Sequence, residues 1–266
     1  MSDDRVAAAF ARARSEERAA LVAYLTAYDG GPEHSLACVR AAIDAGADVI
    51  ELGIPFSDPS ADGPAICAAM VRARAHGATV DRVLELLATL RRSHDAAVVL
   101  FGYANPMLHK GGEAFAAAAA QAGADGVLVV DAPPESAGPL REPARAHGLH
   151  WIPLVAPTTT AERRTLITAG GSGFVYAITL AGVTGAALQE QGSAADATLR
   201  AQLEATRAVT SLPVAAGFGV RRRTQVVRLA ALADGVVVGT ALVEAAQRGP
   251  RAVTELVHEL REGCLR

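Results

Sequence analysis

Short runs of apolar residues rich in Val, Ile and Leu recur along the chain. Each is followed by a stretch whose apolar positions return every three to four residues. The first pattern reads as a strand buried on both faces, the second as an amphipathic helix. The strand-like runs are LVAYLTA (21–27), DVIELGI (48–54), AVVLFGY (97–103), GVLVVDA (126–132), WIPLVAP (151–157), GFVYAIT (173–179), PVAAGFG (213–219) and GVVVGTA (235–241). No Asn-Gly hairpin signal joins any two of them. Eight consecutive strand–helix units in 266 residues predict an α/β chain closed into a (β/α)8 barrel, not an open doubly wound sheet. The reading takes residues 1–266 as one domain. The opening MSDDRVAAAFARARSEERAA adds an amphipathic helix ahead of the first strand.

Three units enter their strands alike: AGADVIEL from Ala45, AGADGVLV from Ala122 and LADGVVVG from Leu232. In the first two a Gly ends the preceding helix in the left-handed region, and an Asp caps the strand start. This echo is the αβ-loop chemistry of parallel α/β proteins in general. The stretch TGAALQEQGSAADATL (184–199) reads as a long mobile loop after the sixth strand.

In such a barrel chemistry belongs at the C-terminal ends of the strands. Side chains alternate along DVIELGI, so Val49, Glu51 and Gly53 share one face and Ile50, Leu52 and Ile54 the other. The bulky set suits the layer against the helices, which turns Glu51 into the barrel near its mouth. Desolvation raises the pKa of a buried carboxyl, and a Glu protonated near neutrality can act as a general acid and base. A structural Glu would need a buried Arg, and no Arg lies on a predicted strand. Asp58 and Asp62 lie in the loop SDPSADGP; either could cap the helix starting near Pro64. Asp62, on a short tether at the same mouth, is the stronger functional candidate. Tyr103, Asn105 and Asp131 also follow strand ends.

GVTG (182–185), GFG (217–219) and GT (239–240) follow the last three strands, where barrels cradle phosphate with backbone N–H groups. Thr240 adds a hydroxyl donor. No GxxxxGK[ST] loop is present, so nucleotide hydrolysis is unsupported.

Composition removes further classes. A net charge of −3 gives no basic face for nucleic acid. Lys110 is the sole lysine and lies in a loop, so a Schiff-base aldolase lacks its nucleophile. The seven histidines never pair at a strand end, so no metal site is expected. Cys38, Cys67 and Cys264 are widely spaced, which suits reduced thiols. With neither a signal peptide nor a membrane span in view, the expectation is a cytoplasmic protein off the membrane. What remains is carboxylate acid–base chemistry on a phosphorylated substrate, without a cofactor.

LVAYLTA, ELGIPFSDPSADGPAI, GYANPML, LVVDAPPE, FVYAITLAGVTG, LPVAAGFGV and ADGVVVGTALV resemble, in order and spacing, the α subunit of tryptophan synthase over about residues 20–245. The resemblance implies a TIM barrel that cleaves indole-3-glycerol phosphate to indole and glyceraldehyde 3-phosphate by a retro-aldol route. It assigns Glu51 to proton transfer at indole C3, Asp62 to the indole N–H, and Tyr176 to an active-site tyrosine. Tyr24, Phe101 and Leu128 would line the indole pocket, and Thr184 would meet the catalytic Asp. Gly185, Gly219, Gly239 and Thr240 fall on phosphate-binding positions. The family's α subunit docks on a pyridoxal-phosphate-dependent β subunit. Departures lie around the mouth: YDGGP after the first strand in place of a GDP, Cys67 in place of a common Gln, and Ala181 before GVTG. They leave a second reading, a stand-alone indole-3-glycerol-phosphate lyase releasing free indole for secondary metabolism. A phosphosugar isomerase or a non-catalytic paralogue would share the barrel but have no use for an apolar pocket beside two carboxylates.

Overall fold

The computed structural model describes residues 4–179, 193–217 and 219–266. The chain opens with α1 (Arg5–Ser15), β1 (Ala20–Thr26) and α2 (Pro32–Asp44). β2 (Val49–Gly53) leads into α3 (Pro64–Ala75) and α4 (Val80–Arg91), and β3 (Ala97–Gly102) into α5 (Ala104–Lys110) and α6 (Gly112–Ala122). β4 (Gly126–Val129), α7 (Gly138–Ala146), β5 (His150–Trp151), β6 (Leu154–Val155) and α8 (Ala161–Ala169) follow. Then come β7 (Val175–Ile178), α9 (Ser193–Arg207), β8 (Val214–Gly217) and α10 (Arg223–Ala230). β9 (Gly235–Val238), α11 (Thr240–Gln247) and α12 (Pro250–Gly263) end the chain.

All described strand pairings are parallel, in the order β5-β4-β3-β2-β1-β9-β8-β7-β6. β5 and β6 are two halves of the predicted fifth strand, parted at Ile152-Pro153 because proline has no N–H for a ladder. The strand still bonds on both sides. The Ile152 N–H donates to the Val127 carbonyl at 2.9 Å, and the Tyr176 N–H to the Pro153 carbonyl at 2.9 Å. The sheet closes through this interrupted strand into the expected (β/α)8 barrel. One expectation is corrected: α9 begins at Ser193, so residues 193–199 are helical rather than loop. Leu199 and Leu203 of α9 pack on the outer core, and Asp196 pairs with Arg228 of α10. The remainder of that predicted loop, residues 184–192, lies outside the described residues.

Strand alternation sorts the apolar residues into two cores. Ile50, Leu52, Val98 and Leu100 face the helices, whereas Val22, Tyr24, Val49, Val99 and Phe101 fill the barrel interior. α1 closes the N-terminal end. Its Val6, Ala9, Phe10 and Ala13 join the inner cluster, and the Phe10 ring lies 5.3 Å from that of Phe174.

The repeated Asp acts across strands. The Asp48 N–H donates to the Leu21 carbonyl at 2.9 Å, and its carboxylate accepts from the Leu21 N–H at 2.9 Å. Asp125 clips Val98, and Asp234 clips Val214, in the same reciprocal way. Each Asp thus ties the foot of its strand to the neighbouring strand and satisfies two backbone groups. Asp48 also takes both terminal nitrogens of Arg18, at 2.5 and 2.8 Å, and the two side chains are 2% and 1% exposed. Loss of Arg18 leaves the buried Asp48 carboxylate with the exposed Arg12, at 3.1 Å, as its remaining charged partner. R18A should therefore lower unfolding stability by about 1.5–3 kcal/mol, read as a shift of the urea midpoint.

Candidate active site

A cavity opens at the C-terminal end of the barrel, about 770 Å³ when its solvent-open mouth is counted. Glu51, Asp62, Tyr24, Phe101 and Tyr176 line it, together with Gly219, Gly239 and Thr240. Ile66, Val130, Leu154, Ile178 and Val237 supply much of its apolar wall.

Glu51 sits mid-strand on β2, in register with Tyr24 of β1 and Val99 of β3. It points inward as the alternation requires and is 1% exposed. Its Oε1 has no hydrogen-bond partner among the described residues. Burial pushes its pKa up to about 8. A carboxyl in this state carries its proton at neutral pH, on a residue that lines the cavity and has one oxygen free of hydrogen bonds among the described residues.

Asp62 stands on the loop before α3. The Tyr103 hydroxyl donates to its Oδ2 at 2.7 Å and accepts the Ala61 N–H at 3.0 Å, so one phenol grips two successive loop residues. Burial raises the Asp62 pKa, and the Tyr103 bond pulls it part of the way back. Tyr103 is itself buried, with its ring 5.2 Å from that of Phe56. The helix that carries this loop is anchored farther along, where Arg72 of α3 forms a two-pronged pair with Asp29 at 2.7 and 2.8 Å. Asp29 belongs to the YDGGP stretch after β1, where Tyr28 adopts φ +66°. Asp131 takes a structural contact, accepting the Ala104 N–H at the start of α5 at 2.7 Å.

The aromatic wall depends on a missing side chain. A Cβ at Gly53 would lie 2.4 Å from the Tyr24 hydroxyl, so the phenol can cross β2 only because residue 53 has none. Tyr24 meets Phe101 edge to face at 5.1 Å. Burial, then the nearby Asp62 charge, drives the Tyr24 pKa well up; burial and Glu51 do the same to Tyr176. Both phenols stay neutral.

The opposite side of the cavity is polar through its backbone. Gly239 is the N-cap of α11 and Thr240 its first residue, and Gly239 brings no side chain to cover the helix end. Gly219 follows β8 with φ +68°, a region open to glycine. A helix N-terminus beside glycine backbone favours an anion such as phosphate.

The structure brings together Glu51, Asp62, Tyr176, Tyr24, Phe101, Gly219, Gly239 and Thr240. Leu128 does not line the cavity; it lies in the inner core, and Val130, two residues on along the same face, reaches the wall instead. Thr184 and Gly185 lie outside the described residues. Sequence reasoning placed Tyr103 at a strand end without seeing its hold on Asp62, and missed Val130, Leu154, Ile66 and Ile178. Strand parity could have found Val130, but not how deep the cavity reaches. Among the described residues no group of three or more His, Cys, Asp or Glu is placed to hold a metal ion.

Comparison with known proteins agrees with this geometry. The family model described as "Tryptophan synthase alpha chain" matches residues 10–264. The tryptophan synthase alpha chain of Rhizorhabdus wittichii is 47% identical over 241 residues, covering 90% of this chain and 87% of that one. The alpha chain of Halorhodospira halophila is 45% identical over 263 residues, covering 98% and 94%. Among solved structures, a chain of Mycobacterium tuberculosis tryptophan synthase superposes with a TM-score of 0.90 at 36% identity, covering 98% of each chain. The tryptophan synthase subunit alpha of Legionella pneumophila gives 0.87 at 35%, again covering 98% of each. Family match, sequence identity and barrel geometry converge: the chain belongs to the tryptophan synthase alpha chain family.

Proposed function

We infer that the cavity cleaves indole-3-glycerol phosphate into indole and glyceraldehyde 3-phosphate, as a carbon–carbon lyase. The observation that carries this reading is Glu51: buried, with an unpartnered oxygen and its pKa pushed to about 8, beside an apolar wall. The Glu51 carboxylic acid gives its proton to indole C3, producing an indolenine cation. Asp62, oriented by Tyr103, accepts the N1–H and offsets the positive charge there. The Glu51 carboxylate then takes the proton of the adjacent hydroxyl as the C–C bond breaks. The bond's electrons return to the ring to give indole, and the aldehyde leaves. Neutral Tyr24, Phe101 and Tyr176 border the indole, while backbone at Gly219, Gly239 and Thr240 grips the phosphate; Thr184 and Gly185 are proposed for the same substrate.

The relatives compared all carry alpha-chain names, which favours the subunit reading over a stand-alone lyase. We propose accordingly that a pyridoxal-phosphate-dependent β subunit is the partner and receives the indole. Pairing of all described strands in one sheet supports a single domain over 1–266. No described helix is long and apolar enough to cross a membrane, and cytoplasmic residence is the matching proposal.

An indole-release assay tests the roles. E51Q should lower kcat by roughly 10²–10⁴-fold while phosphate-ligand affinity holds; retained turnover would refute the acid–base assignment. D62N should cost ~3–4 kcal/mol in kcat/KM, and a negligible loss would move the N1 contact elsewhere.

Two pH effects follow from Glu51. Since the acid form starts the reaction, kcat/KM should fall on the alkaline side with an apparent pKa near 8. For stability, the folded pKa lies above the unfolded value of 4.5, so the folded state binds the extra proton between them. The contribution is fully present below pH 4.5 and is lost as pH rises through about 8. E51Q should therefore gain stability relative to the parent across that window, by at most ~1.4 kcal/mol per pH unit. Urea unfolding at pH 5 and pH 9 measures it, and a difference that stays flat contradicts the burial argument.

A further inference from the structure

We propose that Cys67 is a positioning residue for the lyase, its thiol clamping the turn that carries Asp62. This rests on the assignment of Asp62 to the reaction. The turn spans residues 59–62 and is closed by the Asp62 N–H donating to the Pro59 carbonyl at 3.1 Å. α3 starts directly after it, at Pro64. Cys67, one helical turn in, reaches back over the helix end. Its Sγ lies 3.4 Å from the Asp62 carbonyl oxygen and 3.7 Å from that of Pro59.

Both contacts fall where the backbone leaves a vacancy. The Cys67 N–H is engaged with the Gly63 carbonyl at 2.9 Å. Among the described residues no backbone N–H reaches the Asp62 carbonyl, so the thiol is its donor. Pro59 has a second lone pair beyond the one used by Asp62. One S–H therefore bridges the first and last residues of the turn. Burial, then the neighbouring Asp62 carboxylate, raises the Cys67 pKa, which keeps the sulfur protonated and able to donate.

Tyr103 holds the same turn through different atoms, the Ala61 N–H and the Asp62 carboxylate. The phenol sets the carboxylate's direction; the thiol sets the backbone from which it projects. Cys67 does not line the cavity, so it acts through Asp62 and not on substrate.

The experiment compares C67A, C67V and C67S with the parent in full-length protein. It reads indole release, the affinity of a phosphate ligand, and amide exchange of residues 60–63. A lost hydrogen bond of this strength predicts kcat down roughly three- to tenfold in C67A and C67V. KM and phosphate affinity should stay within about twofold, because the phosphate cradle is on β8 and β9. Amides of 60–63 should exchange faster in both variants with no more than a small drop in the urea midpoint, and C67S, which restores a donor, should recover most of both losses. Unchanged kcat, a kcat loss without faster exchange, or a C67S no better than C67A each overturns the proposal. Absence of indole release from the parent protein would sink the reaction assignment instead, and the exchange data would still decide whether the thiol holds the turn.

Discussion

A carboxyl group held out of water with no cation beside it keeps its proton, and the mouth of this barrel is organised around one. Glu51 is carried inward by strand alternation, and burial is the cause of its raised pKa. A guanidinium at ion-pair distance would have ionised the group and removed the acid. The buried arginine pairs lie elsewhere. Arg18 meets Asp48, and Arg91 meets Asp125, both below the strands at the N-terminal end. These two pairs thus lie at the opposite end of the strands from the Glu51 carboxyl, while the Asp29–Arg72 pair at the C-terminal end anchors α3.

Asp62 shows that two carboxyls lining one cavity need not behave alike. Both are pushed upward by burial, but Asp62 receives a phenol hydrogen bond that favours its charged form, and Glu51 receives none at Oε1. Environments that separate two pKa values assign acid and anion without any difference in side-chain chemistry. The neutral phenols of Tyr24 and Tyr176 suit the proposed arrangement, since a phenolate there would compete for the positive charge that Asp62 is proposed to meet.

The barrel was legible in the sequence because each strand leaves a local mark, a short apolar run, to which three of them add an Asp at the foot. Glu51 was legible for the same reason, since parity along five residues decides which face it takes. Contacts between distant segments left no such mark. Tyr103 and Asp62 are 41 residues apart, and nothing in GYANPML announces a partner in SDPSADGP. The repeated Asp was visible, but its reciprocal bond to the neighbouring strand depends on register, which one strand alone does not reveal. Residues 193–199 misled through their small side chains: Ser193 and three alanines suggested a loop, while Leu199, Leu203 and Asp196 anchor a helix to other elements of the chain.

The difference between the two carboxyl positions explains why the loop is so heavily braced. Glu51 projects from a strand paired on both sides, so its backbone is held by the ladder itself. Asp62 projects from a loop and has no ladder. Its geometry must come from restraints that each limit a few degrees of freedom: Pro55, Pro59 and Pro64 in the chain, the Tyr103 bridge, the thiol of Cys67, and the Asp29–Arg72 pair behind α3. Few of these restraints touch the cavity. A site with one proposed catalytic group on a strand and the other on a loop is only as well ordered as the loop, so in the proposed reaction the contacts around residues 59–67 count as much as the residues lining the cavity do.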